Sequence, residues 1–448
     1  MIPPHGSGAE RLRPVEPGAR ARIAPQAPEA AAAAAPPSAA RPAARPPGQA
    51  TPVVRVRVPP FDHCDPATYY RALREVYGPV APVLLDGGLP AWLVLGYREA
   101  HYVAGSPELF ARDPRRWHAW DRIPEGWPLL PFVAHTASVV FTEGAEHQRR
   151  SRAVAEVLAE VDPFALRLAA EQVADAAVDR FAGAGRADLM AEYAEPVPLR
   201  VLAGLFGLRD DETAELERDT APALEGTPMV AAARGRVAAT MGVLLERVRM
   251  RGTPGGDVPS RLLAHPAGLT DDEAVQDLLT LLTAGRGPTA NWIANTLRLM
   301  LTDERFALTL SGGRRSVGQA LTEVLWTDTP TQNVLGRWAT RDTQLGGRHI
   351  RRGDCLVLGL AAANADPQVC PGASGAVGNQ AHLSFSHGEH RCPAPAVRLA
   401  EVIATAAVEV LLDRLPDLTP ALPPDQLPWR PSLWHRAPTT LPVEFTTL

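Results

Sequence analysis

The spacing of apolar residues along the chain predicts a mainly helical protein with small β-sheets. From about residue 145 to about residue 310, apolar positions recur at helical spacing in alanine-rich amphipathic segments. Two apolar runs around Gly87-Gly88 predict a hairpin over 83–95, and the pattern of 343–350 is typical of a second strand–turn–strand unit. A last helix is predicted over 394–414. The fold class is therefore mainly α with small β-sheets (α+β).

The first residues differ in composition from the rest of the chain. Residues 1–52 are rich in Ala, Pro and Arg, and they lack the large apolar side chains that offset the entropy of ordering. We expect a disordered tail there and one folded domain over 53–448. No leucine-rich or valine-rich run follows Met1, which argues against a signal peptide. No run of about 18 apolar residues occurs, so no membrane-spanning helix is expected.

Charge and cysteine content exclude several classes of protein. The 45 Lys and Arg residues, all of them Arg, stand against 50 Asp and Glu, and the net charge of −5 argues against nucleic-acid binding through bulk positive charge. The cysteines are too few for a disulfide scaffold, and they contain no C-x-x-C pair of the kind that builds a zinc ribbon. A reducing, cytoplasmic location is the expectation. The four cysteines are Cys64, Cys355, Cys370 and Cys392.

Cys392 lies in the most informative segment of the chain. A glycine-containing loop over 385–391 presents it just before the last predicted helix, whose first turn carries prolines. A helix N-terminus favours a thiolate, and a thiolate held there is a natural ligand for haem iron. The alternative is a buried, chemically inert cysteine. Phe385, Gly388 and His390, at seven, four and two residues before the cysteine, favour the ligand.

These residues resemble the haem-binding signature F-x-x-G-x-x-x-C of the cytochrome P450 family, and the resemblance extends from about Val53 to the end of the chain. It implies a P450-like haem-thiolate fold over the catalytic domain 53–448, with haem b as cofactor. By resemblance, Cys392 is the axial ligand of the iron, and His147, Arg337 and His390 bind the haem propionates. Arg and His are suitable donors for two carboxylates at the edge of a cavity.

The central helix departs from the family pattern A-G-x-[DE]-T-T. Residues 284–289 read Ala-Gly-Arg-Gly-Pro-Thr, so that Gly287 replaces the acid and Pro288 replaces the first threonine. The acid and the first threonine of the pattern help to deliver protons to bound oxygen, and here only Thr289 remains. Because Pro288 has no N–H to donate to Ala284, we expect the helix to kink or open there.

A second departure concerns the family's E-x-x-R pair. Glu323 is followed three residues later by Trp326 instead of arginine, which is similar to a minority branch of actinomycete P450s. That arginine normally anchors the meander, and the corresponding segment here, 369–375, also lacks the usual aromatic and arginine anchors. The arginine of the pair and the anchors of the meander are therefore replaced together.

A third departure concerns residues that follow His147 and Cys392. Ser151 stands where the family often has a further propionate-binding arginine, so Arg150 or Arg152 is expected to substitute. After the cysteine, Pro393 and Pro395 lack the N–H groups that moderate a thiolate's electron donation. We therefore expect a more electron-rich thiolate and a lower haem potential than usual.

Two surface features have two interpretations each. Trp117, Trp120 and Trp127 either line the substrate pocket or pack their loop against the body. The cluster Arg149, Arg150 and Arg152 either docks an acidic ferredoxin or is an ordinary solvated face.

The sequence therefore predicts a haem-thiolate monooxygenase that oxidises an apolar small molecule with O₂. Its electrons would come from NAD(P)H through a ferredoxin reductase and a ferredoxin, and Thr289 with water is the candidate for the remaining proton delivery. One alternative is peroxide-driven or substrate-assisted oxidation, including the coupling of aromatic rings. Another is a haem protein that senses or docks partners without catalysis. Neither nucleic acid nor membrane is expected as a partner.

Overall fold

The computed structural model describes residues 55–58, 65–127, 129–220, 229–252, 255–306, 317–369 and 379–447. They belong to one compact unit that spans 36–448. The predicted tail over 1–52 lies outside the described residues, as do Cys64, Cys370 and most of the meander segment.

Helices dominate the described part of the chain, which confirms the predicted fold class. The last helix has the predicted bounds. The helices are α1 (Pro66–Tyr77), α2 (Tyr97–Gly105), α3 (Leu130–Val133), α4 (Gly144–Ala159), α5 (Pro163–Asp179), α6 (Pro196–Phe206), α7 (Asp210–Thr220), α8 (Met229–Met250), α9 (Val258–Ala264), α10 (Asp271–Thr302), α11 (Val317–Thr327), α12 (Leu360–Asn364) and α13 (Ala394–Arg414).

The strands form three separate small sheets. The largest has the order β1-β2-β3-β9-β6-β4, the second has the order β10-β11-β5, and β7 pairs with β8 alone. The strands are β1 (Val56–Arg57), β2 (Val80–Leu85), β3 (Leu89–Val94), β4 (Phe110–Ala111), β5 (Arg186–Asp188), β6 (Asn333–Ala339), β7 (Thr343–Leu345), β8 (Arg348–Ile350), β9 (Cys355–Gly359), β10 (Thr419–Pro420) and β11 (Pro442–Glu444).

Both predicted hairpins are confirmed. β2 and β3 pair antiparallel around the Gly87-Gly88 turn, where both glycines have positive φ angles of 71° and 74°. β7 and β8 pair antiparallel in the same way. In the large sheet β9 lies between β3, which runs parallel to it, and β6, which runs antiparallel.

The central helix α10 positions the rest of the helical body. It begins with a capping box in which the side chain of Thr270 accepts from Glu273 and Glu273 accepts from the backbone of Thr270, and acidic residues fill its first turn. It packs against α6, α8, α11 and α13, and its second half, including Trp292 and Ile293, is buried in the main apolar core. Among the described helices, none combines the length and apolarity needed to span a bilayer.

Candidate functional site

A cavity of about 830 Å³ lies between α4, α10, β6 and the loop before α13. This volume is at the upper end of the range of roughly 300–1,000 Å³ that is usual for cofactor and drug sites. Most of the lining is apolar, while one part carries His147, Arg337 and His390. Cys392 and Thr289 line the same cavity. The structure thus brings together all five residues that the sequence analysis selected.

The loop that carries Cys392 has a fixed backbone. The Cys392 N–H donates to the carbonyl of Phe385 at 3.0 Å, which closes the loop. Ser386 has φ 62°, unusual for a residue with a side chain, and Gly388 has φ 74°. A Cβ on Gly388 would lie 2.2 Å from the carbonyl oxygen of Ala104, so the loop requires glycine at this position.

Burial of the thiol is the main influence on Cys392. It raises the pKa of the Cys392 thiol to about 11. Burial opposes the expected stabilisation of a thiolate at the start of α13, and that expectation stays a prediction. A thiol in this position becomes a thiolate when a metal ion binds it.

The polar part of the cavity gathers side chains from three different elements. His147 comes from α4, Arg337 from β6 and His390 from the cysteine loop, and the rings of His147 and His390 are 3.9 Å apart. His147 Nδ1 lies 3.1 Å from the carbonyl of Val139, and its Nε2 lies 3.1 Å from the carbonyl of Glu389. A neutral imidazole donates from only one ring nitrogen, and the carbonyl of Val139 also accepts from the hydroxyl of Thr142 at 2.7 Å.

The surroundings of Arg337 and His390 lower the pKa of both side chains. Burial, reinforced by the charge of Arg112, holds the pKa of Arg337 well below its ordinary value. Burial also lowers the pKa of His390, and the charge of Arg337 lowers it further. His390 Nε2 is buried and has no hydrogen-bond partner among the described residues, and Glu389 Oε1 lies 3.6 Å from it. Within the described residues, the guanidinium of Arg337 makes no hydrogen bond or ion pair.

This arrangement fits a cofactor that carries two carboxylates on an apolar ring. Buried cations and an orphaned imidazole are costly unless an anion accompanies them. The residues present therefore suit haem, whose porphyrin is apolar and whose propionates are anionic, with a cysteine available for the iron. Arg112 also lines the cavity beside Arg337, and no motif of the sequence indicates it.

The wall formed by α10 carries the altered motif. Ala284, Gly285, Pro288 and Thr289 all line the cavity. The helix continues through Pro288 without interruption, so it does not open there, and the expected kink stays a prediction. Thr289 is buried, and its hydroxyl makes no hydrogen bond to any described residue. By contrast, Thr296 on the same helix donates to the carbonyl four residues before it.

The altered E-x-x-R pair has new partners on both sides. Glu323 accepts from Arg305 at 2.7 Å, a residue outside α11. Trp326 donates its indole N–H to the carbonyl of Asn379 at 2.9 Å and packs edge-on against His382 with ring centroids 5.9 Å apart. The tryptophan thus ties α11 to the chain that leads into the cysteine loop.

The expected arginine cluster does not form one face. Arg150 is buried and ion-pairs with the buried Asp277 at 2.5 Å, while Arg152 is exposed and ion-pairs with Glu156 at 2.6 Å. Arg149 bonds to Glu273. Arg150 and Arg152 each have a carboxylate partner, and of the two only Arg152 lines the cavity, so the expectation that one of them substitutes for the arginine missing at Ser151 stays a prediction.

The tryptophans of the loop over 117–127 pack it against the body of the protein. Trp117 and Trp127 are buried in the core that covers the large sheet, with ring centroids 5.8 Å apart. Trp127 donates to the carbonyl of Asp86 at 3.0 Å. Neither they nor Trp120 lines the cavity, so the packing interpretation is correct.

A mainly helical domain that presents a cysteine and an unneutralised group of cations to one apolar cavity defines a haem-thiolate oxygenase. No protein-family model matches the chain. The mycinamicin IV hydroxylase/epoxidase of Micromonospora griseorubida is 30% identical over 388 residues, which cover 84% of this chain and 94% of the relative. Biflaviolin synthase of Streptomyces coelicolor is 29% identical over 82% of this chain and 90% of its own length.

Solved structures agree with the sequence relatives. CYP154C4 from a Streptomyces species superposes with a TM-score of 0.79 at 28% identity, covering 88% of this chain and 99% of that one. The chain belongs to the cytochrome P450 family. It is accordingly a haem-dependent monooxygenase that acts on small molecules, with a cysteine thiolate as the axial ligand of the iron.

Proposed function

We propose that Cys392 is the axial ligand of haem b in this protein, and that His147, Arg337 and His390 bind its propionates. The observation that carries the proposal is that one cavity receives the cysteine, the three cationic or cationisable side chains and the altered α10 motif. The loop geometry around Gly388 supports it, because that backbone admits no side chain and holds Cys392 in one place.

Haem bound through a thiolate activates O₂ for insertion of one oxygen atom into a substrate. The substrate is proposed to be an apolar small molecule, because Val139, Val140, Leu281 and Val334 line the cavity with few polar groups among them. Thr289 is proposed to hold a water molecule that supplies protons, since its hydroxyl is free and borders the same space. Gly287 and Pro288 offer no acid and no hydroxyl for a longer relay.

The proposed electron donors are a ferredoxin and its reductase, which draws on NAD(P)H. Arg391, next to Cys392, is exposed and forms no ion pair within the part of the chain that the structure describes, so it suits an acidic partner near the haem. Arg152 is exposed as well, although Glu156 neutralises it. The proposal places the protein in the cytoplasm, where NAD(P)H is supplied.

Spectra of the purified protein test the assignment of Cys392. The reduced protein with carbon monoxide is expected to show the red-shifted Soret band of a thiolate ligand, and Cys392→Ser is expected to lose it. Cys355→Ser is the matched control, because Cys355 is fully buried in β9 and does not line the cavity. A colourless wild-type protein made with haem supplied, or an unchanged spectrum for Cys392→Ser, would overturn the proposal.

A second candidate is peroxide-driven or substrate-assisted oxidation, including the coupling of aromatic rings. The absence of an acid at Gly287 and of a hydroxyl at Pro288 favours it, because peroxide brings its own protons and both oxygen atoms. The similarity to the relative named biflaviolin synthase is compatible with oxidative coupling by this chain. Product yield with NADPH and a surrogate ferredoxin, compared with yield with peroxide, separates the two routes. A non-catalytic sensor would give no product by either route.

A further inference from the structure

Arg112 and Arg337 lie opposite each other at the end of the large sheet. β4 pairs antiparallel with β6, with Phe110 opposite Ala339 and Ala111 opposite Trp338. Continuing this register by one residue places Arg112 opposite Arg337. Both side chains border the cavity, and like charges opposite each other on paired strands are destabilising.

A bulge in β6 holds the Arg112 guanidinium in place. The register shifts between Leu335 and Arg337, and Gly336 adopts φ 103°. Arg112 Nη1 donates to the carbonyls of Leu335 at 2.9 Å and Gly336 at 2.6 Å, and Nε donates to the carbonyl of Val140 at 3.1 Å. A Cβ on Gly336 would lie 2.9 Å from Arg112 Nη1 and from the ring of Trp338, so the bulged glycine leaves room for the guanidinium.

Carbonyl groups satisfy only part of this guanidinium. Its third nitrogen, Nη2, makes no hydrogen bond to any described residue, and no described carboxylate forms an ion pair with Arg112. Burial lowers the pKa of Arg112 to about 10. The charge of Glu389, whose side chain is 28% exposed, raises the pKa of Arg337. The carboxylate of Glu143 accepts from the backbone N–H of Arg112 at 3.1 Å and forms no ion pair with its guanidinium.

The arginines that were expected to supply a further cation each have a carboxylate partner. Arg150 is paired with Asp277, and Arg152 with Glu156, while Ser151 carries no charge. Three backbone carbonyls hold the Arg112 guanidinium, and Arg337 neighbours it. Arg112 directly follows β4, and this part of the chain contributes none of the three propionate-binding residues already proposed.

We propose that Arg112 is a fourth cofactor-binding residue, whose Nη2 donates to a propionate carboxylate of haem in place of the arginine missing at position 151. A charge-assisted hydrogen bond from a preorganised guanidinium suits a carboxylate at a cavity edge. This inference rests on the proposed assignment of the cavity to haem.

The experiment compares Arg112→Lys, which keeps the charge, with Arg112→Gln, which keeps donors for the carbonyls and loses the charge. Haem transfer from the holoprotein to excess apomyoglobin gives the rate of haem loss, and the resonance Raman spectrum gives the propionate bending vibration. Arg112→Gln is expected to lose haem roughly tenfold faster than wild type, with Arg112→Lys in between. The propionate vibration is expected to shift in Arg112→Gln. Arg115→Leu, an exposed neighbour paired with Asp113, is the matched control and is expected to match wild type.

A role confined to bracing the strands predicts a different result. Lysine and glutamine would then lower thermal stability alike, leave the propionate vibration unchanged and lose haem at equal rates, and this result would overturn the inference. A wild-type protein without a thiolate haem spectrum would instead overturn the proposed function. The two failures are therefore distinguishable.

Discussion

Trp326 donates its indole N–H to the backbone carbonyl of Asn379, and the distance between the two atoms is 2.9 Å. The bond joins α11 to the chain that enters the cysteine loop, where the family's E-x-x-R pair would use a charged side chain. Glu323, the remaining member of that pair, accepts from Arg305 instead. A neutral hydrogen bond and an aromatic contact with His382 thus replace a salt bridge as the link between α11 and the loop.

This link predicts graded losses of stability. Trp326→Phe keeps an aromatic ring against His382 and removes only the N–H, so the free energy of unfolding is expected to fall by about 1–2 kcal/mol. Trp326→Ala also leaves a cavity in the core and is expected to lose about 3–5 kcal/mol. Urea unfolding of the haem-loaded protein measures both. Equal losses for the two variants would contradict a contribution from the ring.

Thr289 predicts a loss of coupling without a loss of fold. Because its hydroxyl has no partner among the described residues, Thr289→Ala is expected to lower the free energy of unfolding by only about 1 kcal/mol, the cost of the buried methyl group. If Thr289 holds the proton-donating water, the ratio of product formed to NADPH consumed should fall severalfold, while peroxide-supported turnover is spared. Thr283→Ala, at an exposed residue bonded to its own helix, is the control. Unchanged coupling in Thr289→Ala would remove this role.

The proline that follows Cys392 predicts a change of redox potential. Pro393 is the N-cap of α13 and has no N–H to offer the sulfur. Pro393→Leu supplies one, which withdraws electron density from the thiolate and is expected to raise the haem potential. Each tenfold preference for the reduced form corresponds to about 60 mV for a one-electron couple. Spectroelectrochemistry measures the shift, with Pro163→Ala at the start of α5 as a control for loss of a helix-initiating proline. An unchanged potential would refute the argument.

His382 predicts a pH-dependent stability. Both of its ring nitrogens are buried without hydrogen-bond partners among the described residues, and burial lowers its pKa to about 4 from an ordinary 6.5. Between these values the unfolded chain binds more protons than the folded one, so the free energy of unfolding falls as the pH falls. We expect about 1–2 kcal/mol of this loss between pH 7 and pH 5 to disappear in His382→Phe. Urea unfolding at several pH values checks it, and parallel profiles for the two proteins would contradict it.

The sequence predicted the cysteine loop and its neighbours because the spacing of Phe385, Gly388, His390 and Cys392 is local. Arg112 was beyond its reach, since only the pairing of β4 with the bulged β6 shows that it lies opposite Arg337. The sequences of two short strands that lie far apart in the chain do not show that the strands pair.

The period of the α-helix separates Arg150 from Arg149 and Arg152 on α4. Arg150 follows His147 by three residues and so shares its buried face, whereas Arg149 and Arg152 point elsewhere. The three arginines therefore do not form a single charged face.

Arg150 and Asp277 provide the last prediction. The pair is buried and joins α4 to α10 at the edge of the cavity, and Asp277 also accepts from the backbone N–H of Val139 at 2.8 Å. Asp277→Asn removes the nearest carboxylate of Arg150 and leaves only the longer contacts with Glu146 at 3.6 Å and Glu273 at 3.9 Å, so the free energy of unfolding is expected to fall by about 3 kcal/mol.

The double variant Arg150→Met/Asp277→Leu removes both charges together and is expected to lose less than either single variant, because no charge is left buried alone. Unfolding in urea gives all three values, and the exposed pair Arg152→Met/Glu156→Leu serves as the control, with an expected change of less than about 1 kcal/mol. Additive losses in the buried pair would show that the two side chains do not depend on each other, and the contact would then be incidental to the packing of α4 on α10.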